Sequence, residues 1–332
     1  MVTVIGGGIA GLSVAWELAR RSRPVTVLEA NTIGSGTSAV ATSYLEPRLG
    51  TTPARKLEWE ALRRWPDYAA ELEAASGIDV GFRPHGQWRY AFADDEREVR
   101  ADFELRRDAG WNVEWLTGDA VREREPAIGP DVTAAALVRD PAWVDGPAVC
   151  RALAEAIRVK NGTVLENRNV SADDLRDKRT VLIAAGQTDG FDRVPATRRT
   201  KGTTLFLPVA HSLSRMLRHK SLSIVPRSDG VIVGSSRERG ATSLEPDPAV
   251  VADLYGKAVR VLPMLADVAP RPRCGFRHLV GDGSLNLGRD GDVFWSLSHA
   301  GVGYVRAPVV GPELADIICG GEPNFAASFY KG

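Results

Sequence analysis

The sequence predicts a doubly wound α/β domain assembled from discontinuous segments, together with a second domain built on a mixed or antiparallel sheet. Three observations predict this architecture. A chain of 332 residues exceeds what one hydrophobic core usually serves. Residues 2–28 alternate strand, glycine-rich turn, helix and strand, and later segments return to that alternation. Residues 223–236, by contrast, have the pattern of a β-hairpin.

The first element is the apolar run Val2 to Ile5, which is typical of a buried parallel strand. A Gly-x-Gly-x-x-Gly pattern follows and opens a segment of helical periodicity from Leu12 to Arg21. Such glycines let the backbone turn tightly and approach a pyrophosphate, while free N–H groups at the helix N-terminus bind the phosphates. A glycine-rich turn without a ligand is the alternative. The residues predicted to contact a dinucleotide here are Gly6, Gly8, Ile9, Ala10 and Gly11.

The second strand, Pro24 to Leu28, ends at Glu29, and a carboxylate at this distance from the glycines accepts hydrogen bonds from a ribose. Ala30 follows it at the end of the strand. This context, rather than the glycine spacing alone, predicts a Rossmann-like dinucleotide-binding domain.

The stretch Ile33–Gly50 is rich in Gly, Ser, Thr and Ala, so its backbone and hydroxyl groups can approach a bulky cofactor. It contains Gly-Ser-Gly-Thr-Ser, with Thr37 and Ser38 at its end. At this point the chain resembles the FAD-dependent D-amino acid oxidase family, which includes glycine oxidase and sarcosine oxidase. The resemblance implies that FAD is the cofactor.

Further segments in the same order resemble that family. Val144-Asp145-Gly146-Pro147 is similar to its "VDP" segment, and in relatives a backbone contact near Val170 reaches the adenine side of the cofactor. The strand TVLIAAG ends at Ala185 and Gly186, close to the cofactor in the family. Ser223–Ser236 is similar to the "vPR.dG" hairpin over the flavin. The closing motif is Ser298–Gly320, whose turn residues Gly301, Val302 and Gly303 would face the flavin pyrimidine ring.

The resemblance implies a glycine oxidase-like, Rossmann-like FAD-binding domain formed by residues 1–80, 141–200 and 278–332. Residues 81–140 and 201–277 would form the substrate-binding domain, with its mixed or antiparallel sheet over the flavin. Periodicity predicts further elements, which are helices over 54–76 and 94–109, strands near residue 82 and over 87–91, and a solvated, helix-like stretch over 212–220, between His211 and His219.

Composition excludes several classes. Forty-two basic and forty-two acidic residues cancel, so a dedicated nucleic-acid binder is not expected. Cys150, Cys274 and Cys319 are scattered, which indicates neither a disulfide framework nor a metal site and fits a reducing compartment. No apolar stretch reaches the length of a membrane span, and the N-terminus lacks signal-peptide features. A cytoplasmic protein is expected, while the oligomeric state stays open.

The implied chemistry is oxidation of the C–N bond of a small amino acid or secondary amine, with oxygen or an electron carrier reoxidising the flavin. Gly275-Phe276-Arg277 is similar to the family's "GxR" segment, whose arginine binds the substrate carboxylate bidentately. The alternative is that Arg277 pairs with a protein acid such as Asp282. A flavoprotein subunit, or a tRNA-type modifier of a macromolecule, is the alternative function.

Three departures from the family leave the substrate open. His278 stands where most relatives have proline, and Leu222-Ser223 occupy the place of a tyrosine. The stretch His299–Gly303 lacks the second arginine that some glycine oxidases have in the closing motif. Candidate substrate-cavity residues are Tyr44, Arg48, His278 and His299, of which His299 could instead stabilise the glycine-rich turn. Non-covalent FAD is expected, and covalent attachment through Cys274 is the lesser alternative to a buried free thiol.

Overall fold

The computed structural model describes residues 1–175, 177–325 and 327–331 and contains two large sheets and a two-stranded one. The strands are β1 Val2–Ile5, β2 Val25–Leu28, β3 Tyr44–Leu45, β4 Gln87–Phe92, β5 Val113–Thr117, β6 Val132–Val138, β7 Ala142–Trp143, β8 Thr163–Leu165, β9 Val181–Ile183, β10 Arg198–Leu207, β11 Met216–His219, β12 Leu222–Arg227, β13 Gly230–Gly234, β14 Arg271–Leu279, β15 Asn286–Asp290, β16 Val293–Leu297 and β17 Tyr330–Lys331. The α-helices are α1 Ile9–Arg20, α2 Thr37–Val40, α3 Pro53–Ser76, α4 Glu96–Asp108, α5 Gly118–Arg124, α6 Gly146–Val159, α7 Pro248–Val261 and α8 Gly303–Ile318.

The first sheet has the order β17-β15-β16-β9-β1-β2-β8 over the described residues. Its centre is parallel, from β8 through β2, β1 and β9 to β16. The central strands β1 and β9 are buried along their whole length, because helices cover the sheet. Helices α1, α3, α6 and α8 pack against one another on it. This is the predicted doubly wound α/β arrangement, and the fold class is confirmed.

The second sheet is mixed and has the order β14-β10-β13-β12-β11-β4-β6-β5 over the same residues. Helix α7 packs against β10 and β13 on one face, which carries the second large apolar core. Helix α4 packs near β4, β5 and β6. The predicted hairpin of residues 223–236 is confirmed as β12 and β13, joined at Arg227 and Gly230.

Two predicted local elements are wrong. The stretch 212–220 is not helical, because residues 216–219 form β11, which pairs with β4 and β12. Near residue 82 there is only an isolated bridge between Arg83 and Trp143. In both places, pairing with distant strands decided the conformation, and local periodicity does not contain that information.

The strands show where the chain passes from one large sheet to the other. Strand β10 begins at Arg198 and β14 ends at Leu279, and both lie in the second sheet. The chain therefore returns to the first sheet only after Leu279. The predicted domain boundaries stay a prediction. Two of them, after residue 200 and after residue 277, fall within strands β10 and β14.

A buried ion cluster joins α3 to α8. Glu58 is fully buried and accepts hydrogen bonds from Arg48 and, at 2.8 Å, from Nη2 of Arg306. Nη1 of Arg55 lies 3.5 Å away. Burial raises the pKa of Glu58, but the hydrogen bond from Arg48 and the charge of Arg306 outweigh it and hold that pKa below its usual value.

We predict that Glu58→Gln lowers the free energy of unfolding by about 3 kcal/mol, because it leaves Arg306 buried without a counter-charge. Chemical denaturation of both proteins measures the difference. Since the pKa of Glu58 is lowered by folding, its contribution is present above the unfolded pKa of about 4.3 and is lost as pH falls. The gap between the proteins should therefore shrink on acidification.

The matched control for this prediction is Glu71→Gln, on the same helix. It removes an exposed ion pair with Arg20, at 2.7 Å, whose carboxylate side chain is half exposed. Such pairs contribute about 0–1 kcal/mol. Equal losses in the two variants would contradict the assigned role of Glu58.

Candidate active site

A cavity of about 520 Å³ lies at the carboxyl ends of β1 and β9, where ligands bind in open α/β sheets. Its wall continues through the loop after β2 and reaches β14 of the second sheet. The residues predicted from the sequence that line it are Gly6, Gly8, Ile9, Ala10, Glu29, Ala30, Thr37, Ser38, Val170, Ala185, Gly186, Arg277, His278, His299, Gly301 and Gly303.

Two glycines bring the first turn close to its neighbours. A Cβ atom added at Gly6, whose φ is +110°, would lie 2.6 Å from the carbonyl oxygen of Ala184. A Cβ atom added at Gly11 would lie 2.2 Å from the carbonyl oxygen of Gly6. Gly11 does not line the cavity, and its role is to let α1 pack tightly behind the turn. The N-terminus of α1 consequently points into the cavity.

Side chains from the following loop fix the turn. Glu29 accepts hydrogen bonds from the backbone N–H of Gly7, at 2.7 Å, and of Asn31, at 2.9 Å. The hydroxyl of Ser38 accepts one from the N–H of Ile9, at 3.1 Å. The carboxylate of Glu29 is thereby held at the cavity wall, where an acceptor for a ribose hydroxyl is expected.

The other end of the cavity is the turn between β16 and α8. Ser298, Ala300 and Gly301 all have positive φ angles, at 59°, 51° and 81°. Such backbone conformations in residues other than glycine concentrate at functional sites. The hydroxyl of Ser298 and Nδ1 of His299 are buried without a hydrogen-bond partner in the described structure. Ser298 and His299 both line the cavity.

His299 is held in a fixed orientation and is neutral. Its Nε2 lies 3.0 Å from the hydroxyl of Ser296, and its carbonyl accepts a long hydrogen bond from Arg306. Burial, with the charge of Arg306 added, lowers the pKa of His299 to about 3. Stabilising the turn and presenting an uncharged ring to the cavity are therefore compatible roles for this residue.

Arg277 lies against this turn without a carboxylate partner among the described residues. Its Nη1 donates to the carbonyl of Ser236, at 3.0 Å, and its Nη2 to the hydroxyl of Ser235, at 2.7 Å. A Cβ atom added at Gly301 would lie 3.7 Å from its Nε. Burial, followed by the charge of Arg237, lowers its pKa. A partly buried guanidinium on a cavity wall is suited to an anionic ligand.

The alternative partner of Arg277, Asp282, is engaged elsewhere. Its carboxylate accepts hydrogen bonds from the N–H and hydroxyl of Ser284, at 2.8 and 3.1 Å. His278, the neighbour of Arg277, faces Gly186, where an added Cβ would lie 3.0 Å from its Cδ2. Burial and the charge of Arg199 lower the pKa of His278, so its ring adds no positive charge near neutrality.

Several predicted residues lie outside the cavity wall. Val302 is buried at the start of α8. The guanidinium of Arg48 turns away to Glu58, and the ring of Tyr44 packs against Arg218 instead, at 4.4 Å. Cys274 is also outside the wall, and its Sγ lies 3.3 Å from the hydroxyl of Thr203. This position gives no support to covalent flavin attachment.

Further residues of the cavity wall were not predicted from the sequence. The missed lining residues include Asn31, Gly34, Arg168, Asn169, Ala184, Ser296, Ser298 and Tyr304. Arg168 and Asn169 precede Val170, and Ala184 precedes Ala185, so these three could have been inferred as neighbours of predicted residues. Tyr304 could not, because its contact with the cavity depends on its hydroxyl reaching the carbonyl of Ser38, at 3.0 Å, across the fold.

Over the described residues, no group of three or more His, Cys, Asp and Glu side chains is placed to hold a metal ion. The same residues include no helix that is long and apolar enough to cross a bilayer.

The geometry defines a dinucleotide-binding oxidoreductase whose cavity joins an α/β domain to a second sheet. The family profile described as "DAO: FAD dependent oxidoreductase" matches residues 1–317. The chain belongs to this family of FAD-dependent oxidoreductases, and the predicted resemblance is confirmed. FAD is its cofactor, and the cavity fits it, with a glycine cradle at one end and unpartnered buried polar groups at the other.

Individual relatives extend over nearly the whole chain. It is 29% identical to glycine oxidase from Bacillus licheniformis, over 96% of this chain and 92% of that protein. It is 26% identical to an opine oxidase subunit from Rhizobium meliloti, over 95% and 93%. The crystal structure of glycine oxidase from Geobacillus kaustophilus, at 24% identity, superposes with a TM-score of 0.89 and covers 99% of this chain and 97% of that one.

We predict that Gly11→Ala yields protein with little or no bound FAD, because the added methyl group would displace α1 from the turn. The visible absorbance of flavin per protein measures occupancy. Gly256→Ala is the matched control, since that helical glycine has no described atom within 4 Å of an added Cβ. Both changes raise helix propensity equally, by about 1 kcal/mol. Full occupancy in Gly11→Ala would refute the proposed close packing.

Proposed function

We propose that this enzyme oxidises the C–N bond of a small amino acid or secondary amine. The observation that carries the proposal is Arg277, a partly buried guanidinium on the cavity wall without a carboxylate partner among the described residues. When bound, FAD accepts a hydride from the carbon next to nitrogen, and water hydrolyses the resulting imine. Arg277 would bind the substrate carboxylate and orient that carbon.

The residues around Arg277 support binding rather than proton transfer. His278 and His299 both have lowered pKa values and are neutral near pH 7. Neither would compete with Arg277 as a cation. The amine has to be neutral to release hydride, and for a lysine-like pKa of about 10.4 this costs about 4.6 kcal/mol at pH 7. Desolvation of the bound amine in the cavity favours its neutral form and would meet that cost without a catalytic base.

The start of α8 has a supporting electrostatic role in this proposal. Gly303, its first residue, lines the cavity, so the positive end of the helix dipole faces the flavin end. Negative charge develops there when flavin is reduced, and the dipole would stabilise it. Oxygen or an electron carrier would then complete the cycle, in a protein that we place in the cytoplasm because its cysteines are free and scattered.

A second candidate is a flavoprotein subunit that turns over substrate only with a partner chain. The specific observation is the likeness to the opine oxidase subunit over 95% of this chain. Mixing the isolated protein anaerobically with glycine, sarcosine, D-amino acids and L-proline separates the two candidates. Bleaching of the flavin by any of them favours the first. A fully loaded flavoprotein that no amine bleaches favours the second.

We predict that Arg277→Ala raises KM for carboxylated amines at least about 30-fold, because a charge-assisted, bidentate contact is lost. FAD content should stay unchanged. Steady-state kinetics over a wide substrate range measures the effect. Arg271→Ala, an exposed arginine on the same strand, is the control and should keep the wild-type KM. Unaltered kinetics in Arg277→Ala would refute the carboxylate contact.

A further inference from the structure

A second group of arginines, on β4, α4 and β11, surrounds the buried carboxylate of Glu46. Arg89 and Arg106 approach Glu46 Oε1 at 3.2 and 3.1 Å, and both also contact Asp102, at 2.7 and 2.9 Å. Arg218 is the third, with its Nε 3.4 Å from Glu46 Oε2 but without a hydrogen bond. The three arginine side chains are between 7 and 13% exposed.

Arg218 has the weakest acid contact of the three arginines. Three guanidiniums face the carboxylates of Glu46 and Asp102, and the best contacts of both carboxylates go to Arg89 and Arg106. The nearby acids Asp95 and Glu98 both contact Lys220, and Asp95 also contacts His219, so neither forms an ion pair with Arg218 in the described structure. Arg218 is therefore the guanidinium of this cluster best placed to accept a further carboxylate.

Arg218 and Arg277 face the same row of small residues. Arg218 on β11 is directly opposite Ser223 on β12, and Ser223 is opposite Gly234 on β13. Arg277 donates to Ser235, the residue after Gly234. Neighbouring strands are about 4.8 Å apart, so only about 10 Å of sheet separates Arg218 from Gly234.

Tyr44 packs against Arg218, with its ring centroid 4.4 Å from the guanidinium carbon. Burial acts to lower the pKa of Arg218, but Tyr44 and Glu46 outweigh it and raise that pKa. Burial lowers the pKa of Arg277, where Tyr44 acts in the opposite direction. A cavity of about 100 Å³ adjoins Arg218 on its other side, lined by Arg89, Lys220, His219 and the acids Glu98 and Asp102. There is space next to Arg218.

We propose that the substrate carries a second carboxylate, and that Arg218 binds it with the Tyr44 hydroxyl while Arg277 binds the first. The inference rests on the proposed function and narrows its substrate class to amino or imino acids with two acidic groups. Ser223 contributes only a small side chain to the path between the two arginines, and Thr42 and Thr204 pack at Gly234 further along it. A single carboxylate, as in glycine or sarcosine, would contact Arg277 and leave Arg218 without a ligand.

Binding of non-oxidisable acids to the FAD-loaded protein tests this inference without turnover. Glutarate and butyrate have similar chains and differ by one carboxylate. Perturbation of the flavin absorbance gives the Kd of each, and glutarate should bind at least about tenfold tighter, as expected for one added charge-assisted contact. Iminodiacetate should likewise exceed sarcosine in kcat/KM by at least about tenfold. Equal or weaker binding of glutarate would overturn the second contact.

Two variants locate the effect. Arg218→Gln should abolish most of the glutarate preference, whereas Arg215→Gln, which removes the same charge from an arginine that stacks on Trp88, should retain it. If Arg218→Gln does not fold, Tyr44→Phe provides the second test, since loss of the hydroxyl should also reduce the preference. An undiminished preference in the folded variant tested would overturn the assignment.

The outcomes separate this inference from the proposed function. Flavin bleached by amines, with glutarate and butyrate binding equally, would overturn the second carboxylate and keep the oxidation of C–N bonds. Flavin bleached by no amine, dicarboxylic ones included, would overturn the proposed function itself, whatever the two affinities are.

Discussion

The site depends on one close contact between backbones, that of Gly11 with the carbonyl of Gly6. Only a residue without a side chain allows α1 to approach β1 this closely. The approach directs the N-terminus of α1 into the cavity, where Ser38 and Glu29 then fix the turn through backbone N–H groups. Every cofactor contact inferred at this end of the cavity depends on that packing.

The arginines around the site are of two kinds. Some pair with a carboxylate of the protein, and Arg277 does not do so among the described residues. Arg306 is 1% exposed and is matched by Glu58, so it holds α8 on α3 and keeps the turn of His299 in place. Arg277 is partly exposed, and its hydrogen bonds in the described structure go to a hydroxyl and a carbonyl. The two guanidiniums differ in burial and in partner, and the lack of a carboxylate partner is what suits Arg277 to binding an anion.

Sequence reasoning was most successful where the determinants are local. The glycine turn, the hairpin at Arg227 and Gly230 and most helices follow from spacing and turn chemistry, and they predicted the fold class and much of the cavity wall. It failed for β11, because an alternation of basic and apolar residues becomes a strand only when β4 and β12 pair with it. It also missed that Arg48 turns to Glu58, since no local pattern reveals which acid a distant guanidinium meets.

The residues that would contact the flavin and the residues proposed to bind the substrate belong to different sheets. This separation determines which residues can select a substrate. Gly301 and Gly303 follow β16 of the first sheet, whereas Arg277, Ser223 and Arg218 lie on the second. Because strand pairing fixes the backbone spacing between β14 and β11, the second sheet would set the distance between the two acidic groups in the proposed substrate class. The glycine-rich turn belongs to the first sheet, so substitutions at Arg218 or Ser223 can alter substrate choice without altering that turn.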